Sequence, residues 1–283
     1  MKKLPILFAA AMLVACQKPA EKLITRADVE PQYLTVMDRT VYEDSTSAWH
    51  QIDEHTWHGN GRLVYNESMY LIEGDSMALL LDAGTVIPNL REVVESLTDK
   101  PIMLAATHVH PDHTGAAISQ WDTLWMNAGD EVNVPEFMPD YKGVHAYLYD
   151  GQVIDLGGRH ILVVFTPGHT PGSTTFLDLE HHYGFSADAF GSNNLLVFTT
   201  MTTVSSSAER LIRFMKRHDI PFCFPGHFWG DNLESQQRIS DVGRVAEEIL
   251  RGEHTPVMME NPRLPYMVEN YGVMLNYNDE AIQ

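Results

Sequence analysis

Cysteine, basic side chains and long hydrophobic runs are all scarce in this chain, and each shortage excludes something. Two cysteines among 283 residues cannot supply an all-cysteine structural metal cage. Lysine and arginine total 19 against 38 aspartates and glutamates, a formal net charge of −19 at pH 7. A field of that sign repels phosphate backbones, so no nucleic-acid partner is expected. The sustained apolar run Leu4 to Ala15 is shorter than the about 20 residues a membrane-spanning helix needs. There is no repeat of fixed period and no low-complexity tract.

That apolar run follows the basic Met1-Lys2-Lys3 and has the length of a signal peptide's apolar region. It ends in Leu13-Val14-Ala15-Cys16, which resembles a bacterial lipobox, a motif cut before the cysteine that then receives lipid. The expected organisation is a lipoprotein signal peptide over residues 1–15 and a polar tether over 16–31. The main domain follows over 32–255, and an extension over 256–283 packs back on it. Several acyl chains on Cys16 would hold the protein stably at a bacterial cell-envelope membrane, periplasmic or surface-exposed. Cys223 then has no disulfide partner and is read as a buried thiol in the run Ile220-Pro221-Phe222-Cys223-Phe224.

What the chain does contain is a dense histidine motif. Thr107-His108-Val109-His110-Pro111-Asp112-His113-Thr114-Gly115 follows the strand-like apolar run Ile102-Met103-Leu104-Ala105-Ala106. In an extended strand end, residues two apart project to the same side, so His108 and His110 can offer nitrogens to one ion. Asp112 and His113 lie past the bend at Pro111 and can serve a second ion close by. Imidazole suits borderline cations such as zinc, and a mixed His/Asp set keeps a catalytic site open. Two ions roughly 3.5 to 4 Å apart bridge a hydroxide and stabilise both the attacking and the leaving oxygen.

The motif resembles the T-H-x-H-x-D-H-x-G signature of the metallo-β-lactamase superfamily of metal-dependent hydrolases. Three further motifs follow in the family's order: Thr166-Pro167-Gly168-His169, Phe185-Ser186-Ala187-Asp188, and Phe224-Pro225-Gly226-His227. The resemblance implies that His108, His110 and His169 bind one metal, that Asp112, His113 and His227 bind the other, and that Asp188 bridges them. It implies two divalent ions, zinc first, with iron or manganese also compatible. It also implies an α/β fold, a four-layer αβ/βα sandwich with the metals at the edge where the two sheets meet. Asp82-Ala83-Gly84 resembles the family's D-x-G turn, in which the aspartate supports the site; an Asp82 that simply caps the following segment fits the sequence equally well.

Elsewhere the pattern predicts strands over Arg62–Tyr65, Ser68–Glu73 and Met77–Asp82, a helix over Asn89–Leu97, and a helix start after His113. Further strands are expected over Trp121–Trp125, Gln152–Leu156, Arg159–Phe165, Ser173–Leu179, His182–Ala187 and Ile220–Pro225. Helices are expected over Ser207–His218 and Asn232–Arg251, and an irregular segment over Gln32–Asp53. The least regular stretch, Asn127–Asp150, is the length of loop that usually carries function, so it is expected to wall the substrate pocket with His145 touching substrate. Asn193 is a candidate oxyanion donor, and Trp229, directly after a metal-binding position, a candidate substrate contact. His181 and His182 read as solvated.

The function expected from this reading is a dinuclear metallohydrolase in which a bridging hydroxide attacks an acyl ester, lactone or thioester carbonyl, with Asp112 as the catalytic residue that orients it. Ala187-Asp188-Ala189 lacks the cysteine that one group of β-lactamases places there, and the groups without that cysteine generally lack the bridging aspartate as well. A β-lactamase, or a phosphodiesterase or sulfatase of the same fold, is the alternative, and a metal-bearing binding lipoprotein without catalysis a further one. The expected partners are a small-molecule substrate and, through the lipid, a membrane.

Overall fold

The computed structural model describes residues 22–282; the expected signal peptide, Cys16 and the first part of the tether lie outside them. An eight-stranded sheet runs in chain order through Thr40–Glu43, Ser47–Asp53, Thr56–Gly61, Ser68–Glu73, Ala78–Leu81, Ile102–Ala105, Thr123–Met126 and Val144–Tyr147. Its first five strands are antiparallel, and from Ala78–Leu81 onward neighbours are parallel. Strand Ala78–Leu81 is apolar throughout because both its faces are covered, as parallel strands require. In the neighbouring strand the pleat sorts the side chains: Tyr70 and Ile72 face one core, Met69 and Leu71 another.

A six-stranded sheet has the order Glu234–Ser235, Phe222–Pro225, Tyr183–Ala187, Thr174–Asp178, His160–Phe165, Val153–Asp155. Tyr70, Ile72, Leu79 and Leu81 of the first sheet meet Ile161, Val163, Phe176, Phe185 and Phe224 of the second in a shared core. Behind the first sheet lies the helix Leu90–Leu97, and behind the second lie the helices Met201–Arg217 and Gln236–Leu250. The order helix, sheet, sheet, helix is the expected four-layer αβ/βα sandwich.

The C-terminal residues do more than pack against the domain. Val257–Met258, Tyr266–Asn270 and Val273–Tyr277 join Asn194–Leu196 in a third, four-stranded sheet. Val268, Val273, Leu275 and Tyr277 enter the core around the two long helices. The expected tether is also docked over its described part: Gln237 N donates to Ile24 O, Val29 is buried, and Arg26 pairs with Asp231. Among the described residues no helix is long and apolar enough to cross a membrane.

Several local expectations are corrected. Gln32–Asp53 contains two paired strands and short helical turns; its pattern is concealed because Ser47, Ala48, Trp49 and His50 are all buried, so no polar–apolar alternation appears. Arg62–Tyr65 is an exposed loop, since one strand ends at Gly61 and the next begins only at Ser68. The helix expected from Ser207 begins at Met201, capped by the Thr200 side chain accepting from Thr203 N. Its threonines and serines are poor helix formers, but burial of Val204, Ala208 and Leu211 overrides that preference. The last long helix begins at Gln236, after Ser235 caps it and residues Glu234–Ser235 form an edge strand. After His113 there is only a 3₁₀ turn, Ala116–Gln120.

Candidate metal centre

The strands deliver the motif residues to one edge. Ala78–Leu81 and Ile102–Ala105 run parallel, so Asp82 and Thr107-His108 leave their carboxyl ends side by side. In the other sheet Phe165 pairs with Thr174, which closes the loop carrying His169. Ala187 pairs with Pro225 in parallel, which brings Asp188 and Gly226-His227 out together.

Two clusters result. His108, His110 and His169 form one; Asp112, His113, Asp188 and His227 form the other, and within each the candidate ligand atoms all lie within 4.8 Å of one another. In the first, His110 Nδ1 is 3.2 Å from His108 Nε2 and 2.8 Å from His169 Nε2. In the second, His227 Nε2 is 3.4 Å from both Asp112 Oδ2 and Asp188 Oδ2. Asp188 Oδ2 also lies 3.7 Å from His113 Nε2 and 3.8 Å from His169 Nε2, so one oxygen reaches both clusters.

The supporting groups fix which ring nitrogens turn inward. Asp82 accepts from His113 Nδ1 at 2.8 Å and from Thr107 N and Oγ1, each at 2.7 Å. Leu196 O accepts from His169 Nδ1 at 2.7 Å. With Nδ1 engaged outward, their Nε2 atoms are the ones turned into the clusters, which is how buried ligating imidazoles are held. Asp82 thus takes the supporting position rather than that of a helix cap.

The electrostatics divide in the same way. Burial and the neighbouring imidazoles push His108 well below its ordinary value and His110 to about 3, so both stay neutral donors. Burial opposes ionisation of Asp112, but His113 and His227 hold it at about 2; burial likewise opposes protonation of His227, which Asp188 and Asp112 nonetheless raise to about 10. The second cluster thus pairs two carboxylates with two imidazoles that they hold protonated, a positive charge that a bound cation would supply in place of those protons. His113 Nε2 and Asp188 Oδ1 are buried without a hydrogen-bond partner. The backbone makes room for this carboxylate: a Cβ on Gly226 would stand 2.0 Å from Asp188 Oδ1, and Ala187 takes φ 44°, ψ −129° just before it. Two converging nitrogen-rich and carboxylate-rich sets with orphaned inward atoms fit a pair of divalent ions.

The expected substrate contacts fall differently. Trp229 is 51% exposed and lines a cavity of about 410 Å³ together with His227. Asn193 is exposed on the turn after Asp188, and its carbonyl accepts from Met274 N. His145 sits in strand Val144–Tyr147, bonded to Glu131 at 2.9 Å and stacked on Tyr141, which lines a cavity with Pro111. The segment expected to wall the pocket reaches the centre through Phe137, whose ring lies 5.2 Å from that of His110. Sequence reasoning missed Asp130, buried, which accepts from Val109 N and Gly172 N at 2.7 Å and from Thr170 Oγ1 at 2.9 Å. It ties the His108–His110 loop to the His169 loop; the partners that make this tie lie 21 to 42 residues away, so no local signal announces it.

Comparison with known proteins bears on the family and the fold. The model of the metallo-beta-lactamase superfamily matches residues 62–227. The acyl-coenzyme A thioesterase MBLAC2 of Homo sapiens is 26% identical over 202 residues, covering 57% of this chain and 72% of that protein. A hydroxyacylglutathione hydrolase of Erwinia tasmaniensis is 28% identical over 125 residues, covering 43% of this chain and 46% of that protein. A metallo-beta-lactamase structure from Erythrobacter litoralis superposes with a TM-score of 0.59 at 17% identity, over 74% of this chain and 99% of that one. A second, from Pontibacter korlensis, gives 0.57 at 16%, over 71% and 99%. With the motifs, the fold and the match over residues 62–227 in agreement, the chain is a hydrolase that belongs to the metallo-beta-lactamase superfamily.

Proposed function

We propose that this protein hydrolyses the carbonyl bond of an acyl ester, lactone or thioester at a two-ion centre. His108, His110 and His169 would hold one ion and Asp112, His113 and His227 the other, with Asp188 available to both. The observation that carries this is Asp188 Oδ2, within 3.8 Å of His169 Nε2 and 3.7 Å of His113 Nε2, an oxygen shared by both donor sets. When bound, the ions supply a nucleophile from water near neutral pH and charge stabilisation for the developing oxyanion. Asp112, its side chain 17% exposed at the mouth, orients the attacking water by accepting its proton. Asp82 and Leu196 O fix His113 and His169 so that the donors stay aimed inward.

The mixed imidazole and carboxylate set favours zinc and accommodates iron or manganese. The thioesterase and the hydroxyacylglutathione hydrolase among the relatives support an acyl substrate. The Leu13-Val14-Ala15-Cys16 motif supports a lipid-anchored protein of the bacterial cell envelope.

The test is turnover of ester, lactone and thioester by the metal-replete full chain, with Asp112→Asn alongside. Turnover should fall about 10²- to 10⁴-fold in the variant with the fold retained. Near-normal turnover in Asp112→Asn would remove Asp112 from the mechanism, and phosphodiester or aryl sulfate turnover without carbonyl hydrolysis would displace the reading.

A further inference from the structure

Aromatic side chains stand on both sides of the two clusters. On the His110 side, the Phe137 and Phe198 rings lie 5.2 and 5.5 Å from that of His110, and Phe198 is 38% exposed. On the His227 side, Tyr65 and Trp229 are 57% and 51% exposed, and Tyr65 O faces His227 Nδ1 at 3.3 Å. An exposed tryptophan, phenylalanine and tyrosine gathered around one polar centre form a patch of the kind that marks a ligand site.

Each side also has a cavity of about 410 Å³, within the range of small-molecule sites. One borders the centre at Pro111 and is walled by Ile118, Phe137, Met138, Pro139 and Tyr141. The other borders it at His227 and is walled by Met37, Tyr65, Phe228 and Trp229. Among the described residues no lysine or arginine lines either cavity. Of the basic side chains close to the walls, Arg39 donates to Ile52 O and Gln32 O, Arg26 pairs with Asp231, Arg62 pairs with Glu43, and Lys142 donates to Pro139 O at the edge of the first cavity. Asp140 lines the first cavity, and the chain as a whole carries −19. Phosphate-bearing carriers are recognised by arginine and lysine forks, and nothing of that kind faces this centre among the described residues.

We infer that the substrate is an uncharged acyl compound with apolar groups on both sides of the scissile bond, one seated against Phe137 and Phe198 and the other against Tyr65 and Trp229. The inference rests on the carbonyl-hydrolase reading above and names its substrate class. A polyanionic thioester such as an acyl-coenzyme A meets a repelling field and finds no partner for its phosphates.

The test compares substrates that share one hexanoyl group: S-phenyl thiohexanoate, phenyl hexanoate and hexanoyl-coenzyme A, all with the zinc-replete full chain. At low salt kcat/KM should favour the phenyl thioester over the coenzyme A thioester by about tenfold or more. Added salt should raise the coenzyme A rate and leave the neutral rate unchanged, because screening relieves repulsion. Trp229→Ala and Phe198→Ala should each raise KM for the phenyl thioester about tenfold, with two ions still bound and kcat little changed. Trp229→Arg, compared with Trp229→Ala, should narrow the gap between the two thioesters. A coenzyme A thioester preferred at low salt, or an unchanged KM in both alanine variants, would overturn this inference and leave the carbonyl-hydrolase reading standing. Failure to cleave any of the three would overturn both.

Discussion

Phe228 donates its backbone N–H to the Ser68 hydroxyl at 2.9 Å, which ties the residue after His227 to the opposite sheet. Ser68 N also donates to Gly226 O at 2.7 Å, so one serine holds the chain on both sides of a candidate metal ligand. His58 Nε2 meets the same hydroxyl at 2.9 Å and fixes its direction. Ser68→Ala leaves a buried N–H unpaired, which should cost about 1–3 kcal/mol of stability. It should also weaken ion binding at the Asp112–His113–His227 cluster by about 10- to 100-fold while the three-histidine cluster keeps its ion. Metal titration by calorimetry reads both steps; two unchanged affinities would show that the serine serves the fold alone.

His58 is fully buried, and burial, aided by His50 alongside, pushes it from 6.5 down to about 3. The unfolded chain therefore takes up a proton between those values that the folded chain refuses. Stability is complete above about pH 6.5 and falls as pH drops through the window, by about 1.4 kcal/mol per pH unit from this group. His58→Gln should have a shallower loss of urea midpoint between neutral and mildly acid pH than the parent. Parallel slopes for the two proteins would assign the acid sensitivity to other groups.

Asp82 connects the first sheet to both His113 and Thr107 through three hydrogen bonds. Asp82→Ala should lower ion affinity at the second cluster by about 10- to 100-fold and reduce kcat more than it raises KM. Metal content after dialysis, read beside kinetics, checks this, and full occupancy with parental kcat would refute it.

At the end of the sheets away from the metals, Arg159 is buried against Asp178 at 2.6 Å and donates to His55 O and Glu73 O of the facing sheet. Arg159→Met strands the Asp178 carboxylate in the interior, which should cost about 3–5 kcal/mol. Ion stoichiometry should remain at two, because the pair touches no cluster residue. A protein that loses an ion along with its stability would show the two ends to be coupled.

Part of this was legible along the chain. The strands Ser68–Glu73, Ala78–Leu81, Ile102–Ala105 and His160–Phe165 are apolar runs of strand length, and period alone reveals them. The residues of Thr107–Gly115 are near neighbours in sequence, so their spacing already places two sets of donors around one bend. Where the reading failed, local pattern and burial disagreed. The threonine- and serine-rich start of helix Met201–Arg217 is helical only because its apolar residues are packed, and the buried His50 and Ser47 mask a strand.

The sequence by itself determined the kinds of donor, the turn that presents His108, His110, Asp112 and His113, and the strand leading into it. Tertiary structure alone decided what lies across the sheets from them. It set Asp130 under two loops, brought Leu196 from the third sheet onto His169, and clamped His227 through Ser68. Each of those contacts joins residues far apart in the chain, and strand register, not local spacing, puts them within bonding distance.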